Sequence, residues 1–288
     1  KKTEDLIFKV ACRISNQWRI RKENYFLKTL GDNPYIPRVI SSEIQGSVFD
    51  YVLMQKLRGN NAESEIPSNG DFYFSCGKTL GLFHHKKRFS SFGFLLDSEI
   101  PGIDPGIRNT NPGPYKNAFD QLYIPAKGWC DHLISKGSRF SAQLEKIVLH
   151  MEELRGQILD EPAVLSHGDF QLKNLINDDE NLSGVCDYEC VKSAAPSYDL
   201  HLLGQDMLDK GVNMILFDRV LEGYKSVNAL SSNFEPMRYL CRFYSGVIRV
   251  LLIPLKLRKI PKAEHEQHKE KTKSWLEKIA DKSDEYLR

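Results

Sequence analysis

Ser166-His167-Gly168-Asp169-Phe170-Gln171-Leu172-Lys173-Asn174, followed by Val185-Cys186-Asp187-Tyr188-Glu189, is the stretch on which the fold turns. Val164-Leu165 lead into the polar turn His167-Gly168-Asp169, and Leu172, Leu175 and Ile176 return the chain to the core. A second polar turn, Asn177-Asp178-Asp179-Glu180-Asn181, then joins this segment to Leu182–Cys186, giving a strand-loop-strand unit. The second turn is short enough to fold the strands side by side, so that Asp169, Asn174 and Asp187 converge at one end of the hairpin. Each alone is an ordinary loop residue. Their order and the apolar residues between them fit metal-assisted phosphoryl transfer, where carboxylate and amide oxygens hold a hard divalent cation and a further carboxylate orients the accepting hydroxyl.

On these residues the chain resembles the aminoglycoside phosphotransferase and choline kinase family, small-molecule kinases related in fold to protein kinases. The family signature is His-Gly-Asp, four residues, Asn, then a strand ending in Asp. The resemblance implies an α+β, two-lobed protein-kinase-like fold. A small β-rich N-lobe over residues 1–58 binds nucleotide, and a larger helical C-lobe over 59–288 carries the catalytic loop and the substrate-binding helices. It implies Asp169 as the catalytic base, Asn174 and Asp187 as metal ligands, and ATP (or GTP) with Mg2+.

The same resemblance demands a phosphate-binding Lys on a strand and a partner Glu on the next helix. Lys9 interrupts the apolar run Leu6-Ile7-Phe8-Lys9-Val10, and Glu23, Leu27 and Leu30 share helical spacing within residues 21–30. Two strands follow at residues 38–44 and 48–54, separated by Gln45-Gly46, and Met54, Gln55, Lys56 and Leu57 fall where the family's hinge offers backbone groups to the base. Family members also place a Gly-containing hairpin over the triphosphate ahead of this Lys. The eight residues before Lys9 are too few to make it, so either the chain is trimmed at its N-terminus or the N-lobe lacks its first hairpin. Weak ATP affinity and leakage of phosphoryl to water are the expected consequences.

Beyond the hinge, Phe74, Gly77, Leu80, Gly81, Phe83 and His84 line one helical face, with His84 expected as a packed residue. Cys76-Gly77-Lys78-Thr79 ends like a Walker A loop, but Phe72 stands where that motif needs Gly. Residues 97–118 read as a long loop. Ala195-Pro196-Ser197-Tyr198-Asp199 opens a helix in which Asp199 either braces the catalytic loop or simply suits the helix dipole. Val220–Lys225 sits in another helix. Tyr239–Leu255 reads as a core helix ended by Pro254, and residues 262–288 as an amphipathic terminal helix around Trp275, Leu276 and Ile279.

The net charge of +2 conceals an acidic centre, since residues 61–250 hold 25 Asp and Glu against 19 Lys and Arg. That favours a cationic hydroxyl acceptor such as an aminoglycoside, with antibiotic resistance as a corollary, or an amino alcohol. Glu189, Asp206 and Glu222 are candidate polar contacts for it. Six scattered Cys without a paired zinc spacing and the polar start Lys1-Lys2-Thr3-Glu4-Asp5 point to a cytoplasmic enzyme, monomeric or homodimeric, without nucleic-acid or membrane partners. The alternative is a degenerate kinase fold that binds a ligand or partner without catalysis.

Overall fold

The structure is a computed structural model that describes residues 5–12, 14–31, 33–44, 49–93, 113–158 and 161–281. In chain order its elements are β1 (Leu6–Val10), α1 (Ile14–Leu30), β2 (Val39–Glu43), β3 (Tyr51–Gln55), β4 (Asn60–Asn61), α2 (Gly70–Lys86) and β5 (Arg88–Phe89). Then come α3 (Ala118–Ser135), α4 (Ser141–Glu153), β6 (Ala163–Ser166), β7 (Leu175–Asp178), β8 (Asn181–Val185) and β9 (Lys192–Ala194). The last are α5 (Pro196–Asp209), α6 (Ile215–Lys225), α7 (Phe234–Leu257) and α8 (His265–Ala280). The fold is α+β and protein-kinase-like, with a small antiparallel sheet ahead of a larger helical part.

The first sheet has the order β1-β3-β2, antiparallel throughout. Its register sets Ile7 opposite Met54 and Lys9 opposite Val52. Residues directly opposite share a face, so Lys9 points the same way as the buried Val52 and Met54. Helix α1 packs beside this sheet through Ile20, Glu23, Phe26, Leu27 and Leu30, all buried. It begins at Ile14, ahead of the residue 21 expected, because Ile20 extends the buried stripe by a turn. Arg21 pins the helix to the sheet, its Nε donating to the fully buried Asp50 carboxylate at 2.6 Å.

Compact packing divides the chain into two units, one of residues 1–114 and 162–231, the other of 115–161 and 232–288. In the first, the hairpin β7–β8 pairs antiparallel and β4 extends it, while β5, β6 and β9 form a further small sheet. Helices α2 and α6 cross at backbone distance. A Cβ on Gly77 would lie 1.8 Å from the Val220 carbonyl oxygen, and one on Gly223 would lie 1.9 Å from that of Phe74. The Walker-like run at Cys76–Thr79 is therefore the interior of a packed helix. In the second unit, α3, α4, α7 and α8 enclose Cys130, Leu144, Ile147, Met151, Leu240, Val247, Leu276 and Ile279, all buried. Burying side chains of this size contributes about 1.5–3 kcal/mol each before entropy is counted.

Several boundaries differ from expectation. Pro254 does not end α7, which continues to Leu257. Proline removes one N–H and crowds the preceding turn, but so near the helix end little of the hydrogen-bond ladder remains to be lost. The strands expected at 38–44 and 48–54 are Val39–Glu43 and Tyr51–Gln55. The Gln45-Gly46 turn, residues 97–112 of the long loop and residues 282–288 of the terminal helix lie outside the described residues. Among the described residues no helix is long and apolar enough to cross a membrane.

Candidate active site

The turn after β6 is fixed from behind by two buried carboxylates. Asp199, fully buried near the start of α5, accepts the His167 N–H on Oδ2 and the Gly168 N–H on Oδ1, both at 2.8 Å. Asp206, about two turns further along the same face of α5, accepts the Leu172 N–H at 2.8 Å. Of the two expected roles for Asp199, the brace is the one found. It is supported in turn by His84, whose Nε2 lies 3.1 Å from Asp199 Oδ2 and whose Nδ1 lies 3.1 Å from the Tyr224 hydroxyl. Burial alone would raise the Asp199 carboxyl, but His84, His167 and the Gly168 N–H outweigh it and hold the pKa below the usual range.

Gly168 turns the chain with φ of +78° and passes so close to Cys190 that an added Cβ would meet its carbonyl oxygen at 2.1 Å. Only glycine fits this conformation and this approach. His167 is fully buried among Phe26, Phe170 and Tyr188. Its Nδ1 accepts the Asp169 N–H at 3.3 Å and its Nε2 lies 3.1 Å from the Cys186 carbonyl. Those partners require a neutral ring protonated on Nε2. Burial lowers the His167 pKa despite Asp199 and Asp169 nearby. The imidazole therefore shapes the turn, as expected from the sequence, and bridges it to the end of β8.

Asp169 and Asn174 meet directly. The Asn174 amide nitrogen donates to the Asp169 carbonyl at 2.8 Å and to its Oδ2 at 3.1 Å. Among the described residues no donor reaches the Asn174 amide oxygen. The Cys186 N–H, just before Asp187, donates to the Asn174 carbonyl at 2.9 Å. Asp187 itself takes a left-handed conformation, φ 66° and ψ 68°, which short polar side chains tolerate but most residues do not. An amide oxygen and a carboxylate that meet no hydrogen-bond donor among the described residues are the kind of oxygen ligands a hard divalent cation prefers. Among the described residues no three His, Cys, Asp or Glu side chains form a ready cage.

Lys9 reaches the same place. Its Nζ lies 2.7 Å from Glu23 Oε1, with the glutamate buried on α1 and the lysine side chain 35% exposed. Burial works against the ammonium, but Glu23 and then Asp187 more than offset it, so the Lys9 pKa stands above its ordinary value. Burial raises the Glu23 pKa, opposed chiefly by Lys9 and more weakly by the backbone of Tyr188, the neighbour of Asp187, and Phe26 stacks on the Tyr188 ring with centroids 4.5 Å apart. Lys9, Glu23, Arg19 and Glu189 line a cavity of about 460 Å³ with Cys12. An ion pair thus joins Lys9 to Glu23, and hydrogen bonds join Asp169 to Asn174 and Asn174 to Cys186 beside Asp187.

The hinge and acceptor candidates are placed less uniformly. Met54 is buried in β3, and the N–H groups of Gln55 and Lys56 are taken by the carbonyls of Arg38 and Asp5, at 2.9 Å each. The Leu57 N–H has no backbone partner among the described residues. Glu189 is paired with Arg19 at 2.6 Å, Asp206 with Lys210 as well as the Leu172 N–H, and Glu222 with Arg219. Each of the three acidic candidates is therefore already bound to a cation of this chain. Sequence reading missed Lys173, whose Nζ lies 2.8 Å from Asp169 Oδ2. Its signal was its place within the quoted motif, next to Asn174.

A kinase-like fold that gathers Asp169, Asn174 and Asp187 around one turn and hairpin is that of a small-molecule phosphotransferase, and sequence comparison agrees. The profile of the phosphotransferase enzyme family (APH) matches residues 1–240, and the chain belongs to that family. No curated protein matches the sequence. Among solved structures, macrolide 2'-phosphotransferase MphH from Brachybacterium faecium superposes with a TM-score of 0.63 at 14% identity, over 95% of this chain and 84% of that one. A thermostable mutant of aminoglycoside phosphotransferase APH(4)-Ia, in ternary complex with AMP-PNP and hygromycin B, gives a TM-score of 0.63 at 13% identity over 99% and 89%. The AMP-bound spectinomycin phosphotransferase APH(9)-Ia gives 0.61 at 14% identity over 97% and 88%.

Proposed function

We propose that this phosphotransferase moves the γ-phosphate of ATP to a hydroxyl of a small molecule, with its N-lobe over residues 1–58 and its C-lobe over 59–288. The observation that carries the reading is the gathering of Asp169, Asn174 and the start of the Cys186–Asp187 turn by hydrogen bonds, with Lys9 paired to Glu23 and in the field of Asp187. Nucleotides bound to structures of the same fold support ATP as donor. In this reading Lys9 holds the α- and β-phosphates and Glu23 keeps its ammonium in place. The backbone of Met54–Leu57 faces the base, with the Leu57 N–H as the free donor. Asn174 and Asp187 hold Mg2+, which when bound offsets the charge of the triphosphate.

Asp169 aligns the acceptor hydroxyl and takes its proton late, since a loose transition state needs little prior deprotonation. His167 remains neutral and takes no part in proton transfer. For the acceptor, the acidic middle of the chain supports a cationic aminoglycoside or amino alcohol, with Glu189 and Glu222 available to it only by exchanging their present Arg partners. The test is thermal-shift titration with ATP and Mg2+, then ADP release across a panel of aminoglycosides, amino alcohols, sugars and hydroxy acids. Magnesium-dependent nucleotide stabilisation with acceptor-dependent ADP release is expected. Failure of ATP with Mg2+ to stabilise the protein removes the reading.

A further inference from the structure

We propose that Lys173 is a second catalytic cation, placed to neutralise the phosphoryl group as it passes from nucleotide to acceptor. The single helical turn Leu172–Asn174 carries residue 173 back beside the base. Lys173 Nζ and Asn174 Nδ2 both lie on Asp169 Oδ2, at 2.8 and 3.1 Å. Among the described residues nothing donates to Asp169 Oδ1. The carboxylate is therefore held by one oxygen and presents the other, the arrangement an incoming hydroxyl needs.

The ammonium also lies in the field of Asp187. The carboxylate it holds is the one that would receive the acceptor's proton, so the ammonium lies beside the oxygen from which the new bond to phosphorus forms. An ammonium carries three donors, of which Asp169 takes one, and the side chain is 43% exposed, so the others remain available to a ligand. Lys173 and Asp169 are spaced i, i+4, and what sets the pair apart from an ordinary surface pair is that its anion is the candidate base.

The inference rests on the kinase reading. In the step, the bond between the γ-phosphorus and the β–γ bridging oxygen breaks and its electron pair leaves with ADP. The acceptor oxygen forms the new bond to phosphorus, its proton passes to Asp169 Oδ1, and Lys173 keeps its protons throughout while hydrogen-bonding the non-bridging oxygens. Charge stabilisation of this kind, aimed at the transition state, is commonly worth orders of magnitude in rate.

Aluminium fluoride with Mg-ADP mimics the transferring group and needs no identified acceptor. Calorimetry of Mg-ADP with and without it should show tightening in the wild type, and loss of about tenfold or more of that tightening in Lys173→Met. Mg-ADP affinity alone should stay within about twofold. Lys173→Arg, which keeps the charge, should retain most of the tightening and guards against a folding artefact. Equal tightening in Lys173→Met, or none in the wild type, overturns the assignment of Lys173. Failure of the wild type to bind Mg-ADP at all instead overturns the kinase reading beneath it.

Discussion

The turn that carries Asp169 and the strand that carries Lys9 face the same chemistry with opposite construction. The turn is over-determined: three of its N–H groups end on buried carboxylates, and His84 and Tyr224 back one of those in turn. The strand is lightly held. Leu6 and Phe8 beside Lys9 are 47% and 56% exposed, and the lysine is oriented by a single ion pair. In the proposed mechanism, rigidity is thus concentrated where a proton would be accepted, and freedom is left where a flexible, highly charged triphosphate would be gripped and released.

The largest expected effect breaks the chemistry without touching either framework. Asp169→Asn should lower turnover by about a thousandfold, within the range general bases contribute, while Mg-nucleotide affinity and thermal midpoint hardly move. Steady-state ADP release with the screened acceptor measures it, and retained activity removes Asp169 from its role. Next is Asp199→Ala, which strips the brace from the turn and leaves two buried N–H groups and His84 without their acceptor. A loss of about 3 kcal/mol is expected, about 6–12 °C in midpoint for a domain of this size. A loss no greater than that of an exposed carboxylate would show that the turn is not over-determined.

Glu23→Gln tests the lighter half. It removes the charge that holds Lys9 but preserves shape, so nucleotide affinity should fall about tenfold, the worth of one charge-assisted hydrogen bond. Global stability should change far less than in Asp199→Ala. Calorimetry with ATP and Mg2+ beside thermal melts separates the two. If Glu23→Gln costs as much stability as the loss of the brace, the contrast between the two regions is wrong.

This contrast also explains what the sequence disclosed. His167–Asn174 and Asp187 were legible because a short hairpin brings them together through local chain geometry, and Lys9 and Glu23 because the resemblance asks for them in that order. The support beneath them was not. Asp199 and Tyr224 reach His84 across 115 and 140 residues, and Arg19 reaches Glu189 across 170, separations at which no spacing rule connects one side chain to another. Strands of two or three residues such as β5 and β9 carry too little alternation to read. The acidic residues picked as acceptor contacts were visible as charges, but their Arg and Lys partners become evident only once the helices are packed.

The smallest effect concerns pH and tests the burial of the turn directly. Burial lowers the His167 pKa, so the folded protein keeps its imidazole neutral where the unfolded chain, near 6.5, has begun to take up a proton. The unfolded state therefore binds more protons below that value. The stability this neutral ring contributes is complete above about 6.5 and drains away as pH falls through the depressed folded value, with a slope of at most about 1.4 kcal/mol per pH unit for one proton. Asp199, also depressed, adds its own loss only further down, below about 4 where an unfolded aspartate protonates. Thermal melts between pH 7.5 and 5.5 should show a falling midpoint in the wild type and a flatter profile in His167→Gln, which has no titrating ring and whose amide can still meet the Cys186 carbonyl. An unchanged slope in His167→Gln would assign the dependence to another histidine and leave the turn's insulation from solvent unproven, because only a ring sealed behind Phe26, Phe170 and Tyr188 resists protonation with two carboxylates beside it.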